Sequence, residues 1–195
     1  IWTYWAERTV TMTTADLTPV LQQFAGSVTE ARYTLSPIPG YAHNPLIEAL
    51  PPILSTSETV PLLRYEPEHD DRVRELPTEL RLHLLHDALR FFTPLPVHVE
   101  LEQRVSRLIR AGYQGRNPLT RGFRRQMEGR LQQPVPVYQQ TRSQGFTLLG
   151  VSGVGKTSAL ERILALYPQI VLHRQYDDQP FSHLQVVWLK LDCPH

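Results

Sequence analysis

Gly150-Val151-Ser152-Gly153-Val154-Gly155-Lys156-Thr157 satisfies the pattern G-x-x-x-x-G-K-[ST] at every fixed position. The residue types follow from what holding a phosphate chain requires. Glycine at 153 and 155 lets the backbone turn successive N–H groups toward phosphate oxygens, where a side chain would block the approach. A helix starting near Lys156 adds its positive N-terminal end to the same place. Lys156 is then the expected catalytic cation, reaching the β- and γ-phosphates, and the Thr157 hydroxyl is the expected magnesium ligand. Gly150, Ser152, Gly153, Val154, Gly155, Lys156, Thr157 and Ser158 make up the expected nucleotide-binding set, with ATP and Mg2+ as cofactors. The bland alternative is a chance glycine turn, and the flanks argue against it. Phe146-Thr147-Leu148-Leu149 before the loop has the texture of a short buried strand. After the loop, Leu160, Ile163, Leu164 and Tyr167 recur at helical spacing between Thr157 and Tyr167.

Downstream, Pro168 stops that helix, and Ile170-Val171-Leu172 and Leu184 to Leu191 are the next strand candidates. Strands alternating with helices imply a parallel α/β sheet. Asp192, at the end of an apolar run, has the look of a metal-binding acid. It lies only 36 residues after Lys156, however, and is followed by Cys193 rather than Glu. A simple strand-end acid is the better reading of Asp192. The metal-binding acid is then expected beyond His195, and the chain reads as a truncated part of a longer protein.

Upstream, Pro37, Pro39, Pro45, Pro51, Pro52, Pro61, Pro67 and Pro77 argue against long helices and central strands between Ser36 and Pro77. That stretch reads as an irregular arm with a short helix at Pro45–Leu50. Helices are expected over Asp16–Phe24 and over Glu79–Phe92, the latter capped by Thr78 with Leu82, Leu85, Leu89 and Phe92 on one face. Another is expected over Glu100–Ala111, with Leu101, Val105, Leu108 and Ile109 inward. The division expected is a proline-rich, partly helical arm over 1–99 and the opening part of an ATPase domain over 100–195.

Charge is unevenly spread. Residues 1–103 carry 7 basic against 14 acidic side chains, while residues 104–130 carry 8 arginines against Glu128 alone, a net of +7. Concentrated arginine of this kind suits phosphate or an acidic partner, with a solvated surface as the ordinary reading. His83, His86 and Asp87 lie within about one helical turn, but no further ligand stands at a fixed spacing from them, so a solvated helix face is expected. At 41% hydrophobic and 20% charged residues the chain is not one that stays disordered. The single cysteine excludes an intrachain disulfide framework and suits a reducing compartment. No apolar run approaches the roughly 18 to 20 residues of a membrane span.

Beyond the loop itself, Gly112-Tyr113, Arg116-Asn117-Pro118-Leu119, Gly145-Phe146, Tyr167-Pro168-Gln169 with His173, and Trp188-Leu189-Lys190-Leu191-Asp192-Cys193-Pro194 resemble the TnsC/TniB transposition ATPases. Asn44-Pro45-Leu46-Ile47-Glu48-Ala49-Leu50-Pro51 is similar to that family's N-terminal arm. The resemblance implies an AAA+ P-loop fold and a bacterial cytoplasmic protein that assembles as an oligomer on double-stranded DNA with ATP. It also implies a DDE transposase and a target-selecting protein of the TnsD/TniQ kind as partners, with no membrane. In AAA+ proteins the segment entering the first strand lies over the adenine, which makes Tyr113, Arg116 and Asn117 further nucleotide-binding candidates. Two rivals remain open on the residues alone: a P-loop kinase acting on a small metabolite, and a non-catalytic module in which ATP only orders the fold.

Overall fold

The computed structural model describes residues 27–67, 70–88, 90–123, 125 and 144–191. The chain is mixed α/β, and its described residues separate into two compact units. One, the sheet unit, holds the described residues up to Leu50, those from Arg116 to 125, and those from Tyr167 onward. The other, the helical unit, holds those from Pro51 to Gly115 and from 144 to Leu166.

The sheet unit is built on three strands, β1 (Val28–Glu30), β2 (Ile170–Tyr176) and β3 (Gln179–Val186), in that spatial order. β1 runs parallel to β2 with Val28 opposite Ile170, whereas β2 and β3 form an antiparallel hairpin with Ile170 opposite Val186. The one parallel pairing uses β1, a strand the sequence reading did not foresee, and the sheet is therefore mixed rather than parallel as expected. The cause is the turn. Asp177 and Asp178 sit at φ +50° and +57°, the two left-handed positions of a two-residue hairpin loop, which short polar side chains tolerate. Because β3 follows directly from this turn, it begins at Gln179 and ends at Val186, taking in only the first three residues of the Leu184–Leu191 run. Leu189 and Leu191 are exposed. Ile170 and Val171 at the start of β2 are fully buried and anchor the core, each contributing roughly 1.5–3 kcal/mol.

A short helix, α1 (Pro45–Glu48), packs Leu46 and Ile47 inside the same unit. Asn44 caps it by accepting a hydrogen bond from the Leu46 amide at 3.1 Å, and Pro45 occupies the first helical position, where its missing N–H costs nothing.

The helical unit contains α2 (Thr56–Leu63), a 3-10 turn (Asp71–Glu75), α3 (Thr78–Ala88), α4 (Pro96–Gln114) and α5 (Lys156–Leu164). α2 lies inside the proline-rich stretch and forms despite Pro61, because Ser55 and Glu58 close a reciprocal capping box at its start. α4 starts one turn earlier than the apolar spacing predicts, with Pro96 at its first position. Val99, Leu101, Val105 and Ser106 are buried along it, and it contacts both α2 and α5. α3 ends at Ala88, short of the expected Phe92. The Phe92 backbone instead exchanges two hydrogen bonds with Tyr65, at 3.0 and 2.9 Å. Leu82 is exposed on α3, so the stripe expected there is not a buried one at that position.

Residues 144–151 form no strand, contrary to the reading of Phe146–Leu149. A strand, unlike a helix, closes its hydrogen bonds only on a neighbour. Among the described residues this stretch has none, and Leu149 is 86% exposed. The helix expected over Asp16–Phe24 lies outside the described residues.

Candidate functional site

The glycine loop leads into α5 as the sequence requires. Gly153 and Gly155 take φ +80° and +85°, the left-handed region that L side chains avoid, and a Cβ at either would meet nothing within 4 Å. The strain is thus conformational rather than steric, and the space in front of both residues is open. Gly155 is the residue before α5 and provides no side-chain cap, so the first-turn amides receive none from it. Gly150 is more confined, since a Cβ there would lie 3.4 Å from Val154 Cγ1 and 3.5 Å from Lys156 Cδ.

Lys156 closes the loop on itself. Its Nζ donates to the Gly150 and Val151 carbonyls, both at 2.8 Å. An ammonium has three donors, so a third remains to be directed at an anion. Thr157 and Ser158 are exposed on the first turn of α5, while Ala159 and Ile163 fix the helix from its buried side. Gly150, Ser152, Gly153, Val154, Gly155, Lys156, Thr157 and Ser158 therefore form one continuous, accessible loop and helix start. This arrangement fits a triphosphate, with open amides, one cation and no carboxylate among residues 144–158. It fits magnesium only as a partner of that phosphate. Thr157 offers a single oxygen, and no group of three His, Cys, Asp or Glu suited to a metal ion occurs among the described residues. His83 and His86 are exposed on α3, as expected.

The remaining candidates are placed differently. Tyr113 is half-buried near the end of α4, in the helical unit with the loop. Arg116 and Asn117 fall in the sheet unit. Arg116 is exposed, whereas the Asn117 amide donates to the His43 carbonyl at 2.8 Å and accepts from the Leu119 amide at 3.0 Å. Its side chain holds a turn together. The arginine block also divides. Arg104 pairs with Glu100 at 2.6 Å one helical turn away, and Arg107, Arg121 and Arg125 are exposed. Arg110 is only 3% exposed and donates to Ser106 Oγ at 2.6 Å and to the Pro51 carbonyl. Asp192 lies outside the described residues.

Sequence reasoning missed one polar cluster in the sheet unit. Gln185 Nε2 donates to the Leu46 carbonyl at 2.8 Å, which points Gln185 Oε1 at His173 Nε2, 2.9 Å away. An amide oxygen can only accept, so His173 carries its proton on Nε2. Its Nδ1 is then an acceptor, and the Tyr33 hydroxyl 2.8 Å away donates to it. Burial pushes His173 down from 6.5 to about 4, against the raising effect of Gln185 and helped by neighbouring His183. Burial likewise pushes the Tyr33 hydroxyl up to about 12. Beside it, the Tyr176 hydroxyl donates to Glu48 Oε2 at 2.7 Å and is raised first by burial, then by that carboxylate. Both groups stay neutral near pH 7, and the cluster fastens α1 and β3 to β2. The only sequence signal was a polar residue at a buried strand position, which does not name its partner.

No protein-family model matches the chain, and no curated protein matches it to a significant degree. Among the described residues no helix is long and apolar enough to cross a membrane.

Proposed function

We propose that residues 150–158 bind ATP with magnesium, and that the chain acts as an AAA+ regulator of DNA transposition. In this reading it assembles on double-stranded DNA when ATP is bound and links target selection, through a TnsD/TniQ-like protein, to a DDE transposase. One observation carries the nucleotide half: a G-x-x-x-x-G-K-T loop with Gly153 and Gly155 in left-handed conformations, tied by Lys156 and opening onto an uncapped helix start. The residues that resemble TnsC/TniB proteins support the transposition half. Lys156 keeps two donors on the loop and turns the third to the β- and γ-phosphates. The amides of Gly153 to Gly155 cradle oxygens, and Thr157 orients the phosphate-bound ion. Magnesium, when bound, neutralises charge on the phosphate oxygens, and the protein's part is positioning and charge stabilisation.

Calorimetry of the full chain with Mg·ATP tests the binding. A charge-assisted phosphate contact contributes on the order of 1.5–3 kcal/mol, so Lys156→Ala weakens binding by about tenfold or more. An unchanged affinity refutes the site. Sedimentation with duplex DNA tests the assembly: an ATP-dependent oligomer is expected, and an ATP-indifferent monomer overturns the transposition reading.

A further inference from the structure

α5 carries the phosphate loop at its N-terminal end, and its buried side is small: Ala159 and Ile163 are its buried residues. A second attachment comes from Arg162. Its guanidinium lies over the Phe92 ring at 4.8 Å and the Tyr65 ring at 5.5 Å, and it donates a hydrogen bond to the Arg90 carbonyl. Arg90 in turn places its own guanidinium over Tyr65 at 4.7 Å. The two rings cannot drift apart, because Tyr65 and Phe92 exchange backbone hydrogen bonds in both directions. The Phe92 ring also meets the ring of His98, in the first turn of α4, at 4.9 Å. Two separated stretches of chain, at Tyr65 and at Arg90–Phe92, thus meet at one side chain on α5.

We infer that Arg162 is a positioning residue for the phosphate loop, holding α5 through the Tyr65–Phe92 pair so that Lys156 and the loop amides keep their aim. Arg162 stands six residues after Lys156, about 9 Å along the helix. A cation held by two ring faces and a carbonyl fixes both the tilt and the rotation of so short a helix, which its two buried residues alone do not. The inference rests on nucleotide binding at residues 150–158. Lysine is a poor substitute, since its compact ammonium lacks the planar guanidinium fork that lies on a ring and reaches a carbonyl at once.

The test is calorimetry with Mg·ATP together with amide hydrogen exchange, on the full chain. Arg162→Ala raises Kd about tenfold, because binding must then restore the loop order that Arg162 held in advance, with unchanged stoichiometry, and Arg162→Lys restores only part of it. Exchange at Gly153 to Lys156 becomes faster in Arg162→Ala without nucleotide. Phe92→Leu, which removes one ring face, gives a smaller change in the same direction and serves if Arg162→Ala does not fold. Ser55→Ala destabilises the same unit at the start of α2, away from this contact, and leaves Kd unchanged. If Arg162→Ala lowers stability but leaves both Kd and loop exchange at wild-type values, the inference is overturned and Arg162 is merely structural. If the wild-type chain does not bind Mg·ATP, nucleotide binding itself fails, and the exchange rates alone then decide whether Arg162 orders the loop.

Discussion

The glycine loop and the His173 cluster are opposite kinds of polar structure. The loop is exposed, continuous in sequence and defined by backbone conformation at Gly153 and Gly155. The cluster is buried, assembled from Tyr33, Leu46, His173 and Gln185, and defined by which atom donates to which. Local conformation leaves a mark in sequence, because only glycine adopts it cheaply. A donor–acceptor chain between distant residues leaves none. With the loop as the proposed nucleotide site, damage to the cluster is expected to act on stability and damage to the loop on binding, and each variant below can break that separation.

The largest effect is expected for His173→Leu. It strands the Tyr33 hydroxyl and Gln185 Oε1, at about 2 kcal/mol each, so urea unfolding loses about 4 kcal/mol. Affinity for Mg·ATP stays at the wild-type value. A loss under 1 kcal/mol means the cluster is not an important tie, and a changed Kd means that the separation is false.

Acid gives a comparable effect from the same group. The imidazole is neutral in the fold down to about 4, whereas in the unfolded chain it takes up a proton near 6.5. Above pH 6.5 neither state is charged, and His173 adds no pH dependence. As pH falls from 6.5 to 4 the unfolded state binds the extra proton, and stability drops by about 3 kcal/mol in all. Below pH 4 the loss is complete. Burial also lowers His183, which acts in the same direction, so the His173 share is the part of the slope absent from His173→Leu. Equal slopes in the two proteins would remove His173 as the cause.

Gly153→Ala reverses the pattern. A left-handed residue with a Cβ costs about 1–2 kcal/mol. In the free chain an exposed loop relaxes to avoid that strain, and binding then has to restore it. Kd for Mg·ATP rises about five- to thirtyfold while the urea midpoint stays put. A lowered midpoint with unchanged Kd would place Gly153 in the fold rather than in the site.

The same distinction between local and distant causes explains what could be read in advance. The loop, the start of α5 and the inward residues Leu101 and Val105 of α4 all depend on neighbours within one or two turns, whereas Thr78, read as the cap of α3, is its first helical residue and its hydroxyl accepts from the Arg81 guanidinium instead. α2 was also marked, by Ser55 and Glu58, but the prolines around it concealed the signal. The hairpin escaped notice because Asp177-Asp178 stands where Asn-Gly or Asp-Gly would have announced a turn. Without that turn, the apolar run after Leu184 looked like a strand of its own. Phe146–Leu149 shows the converse error, apolar texture read as a strand that has no neighbour among the described residues. Asn117 reads as a nucleotide-binding candidate and Arg110 as one member of the arginine block, and the distant partners the structure gives them, the His43 and Pro51 carbonyls, are invisible in the sequence.

The smallest predicted effect examines the logic of the cluster itself. Tyr33→Phe removes the hydroxyl that donates to His173 Nδ1 and keeps the ring, including its edge contact with Tyr176 at 4.9 Å. Only one acceptor is left without its donor, so the expected loss is about 1 kcal/mol, well below that of His173→Leu. The tautomer should not change. Leu46 offers a carbonyl, which fixes the Gln185 amide by accepting from its nitrogen, and the amide oxygen then demands a donor at His173 Nε2. Nitrogen NMR of the ring reads this directly: Nε2 remains the protonated atom and Nδ1 the bare one in both proteins. A switch to Nδ1–H in Tyr33→Phe would show that Tyr33, not the Leu46–Gln185 link, sets the proton, and the order of command in the cluster would have to be reversed.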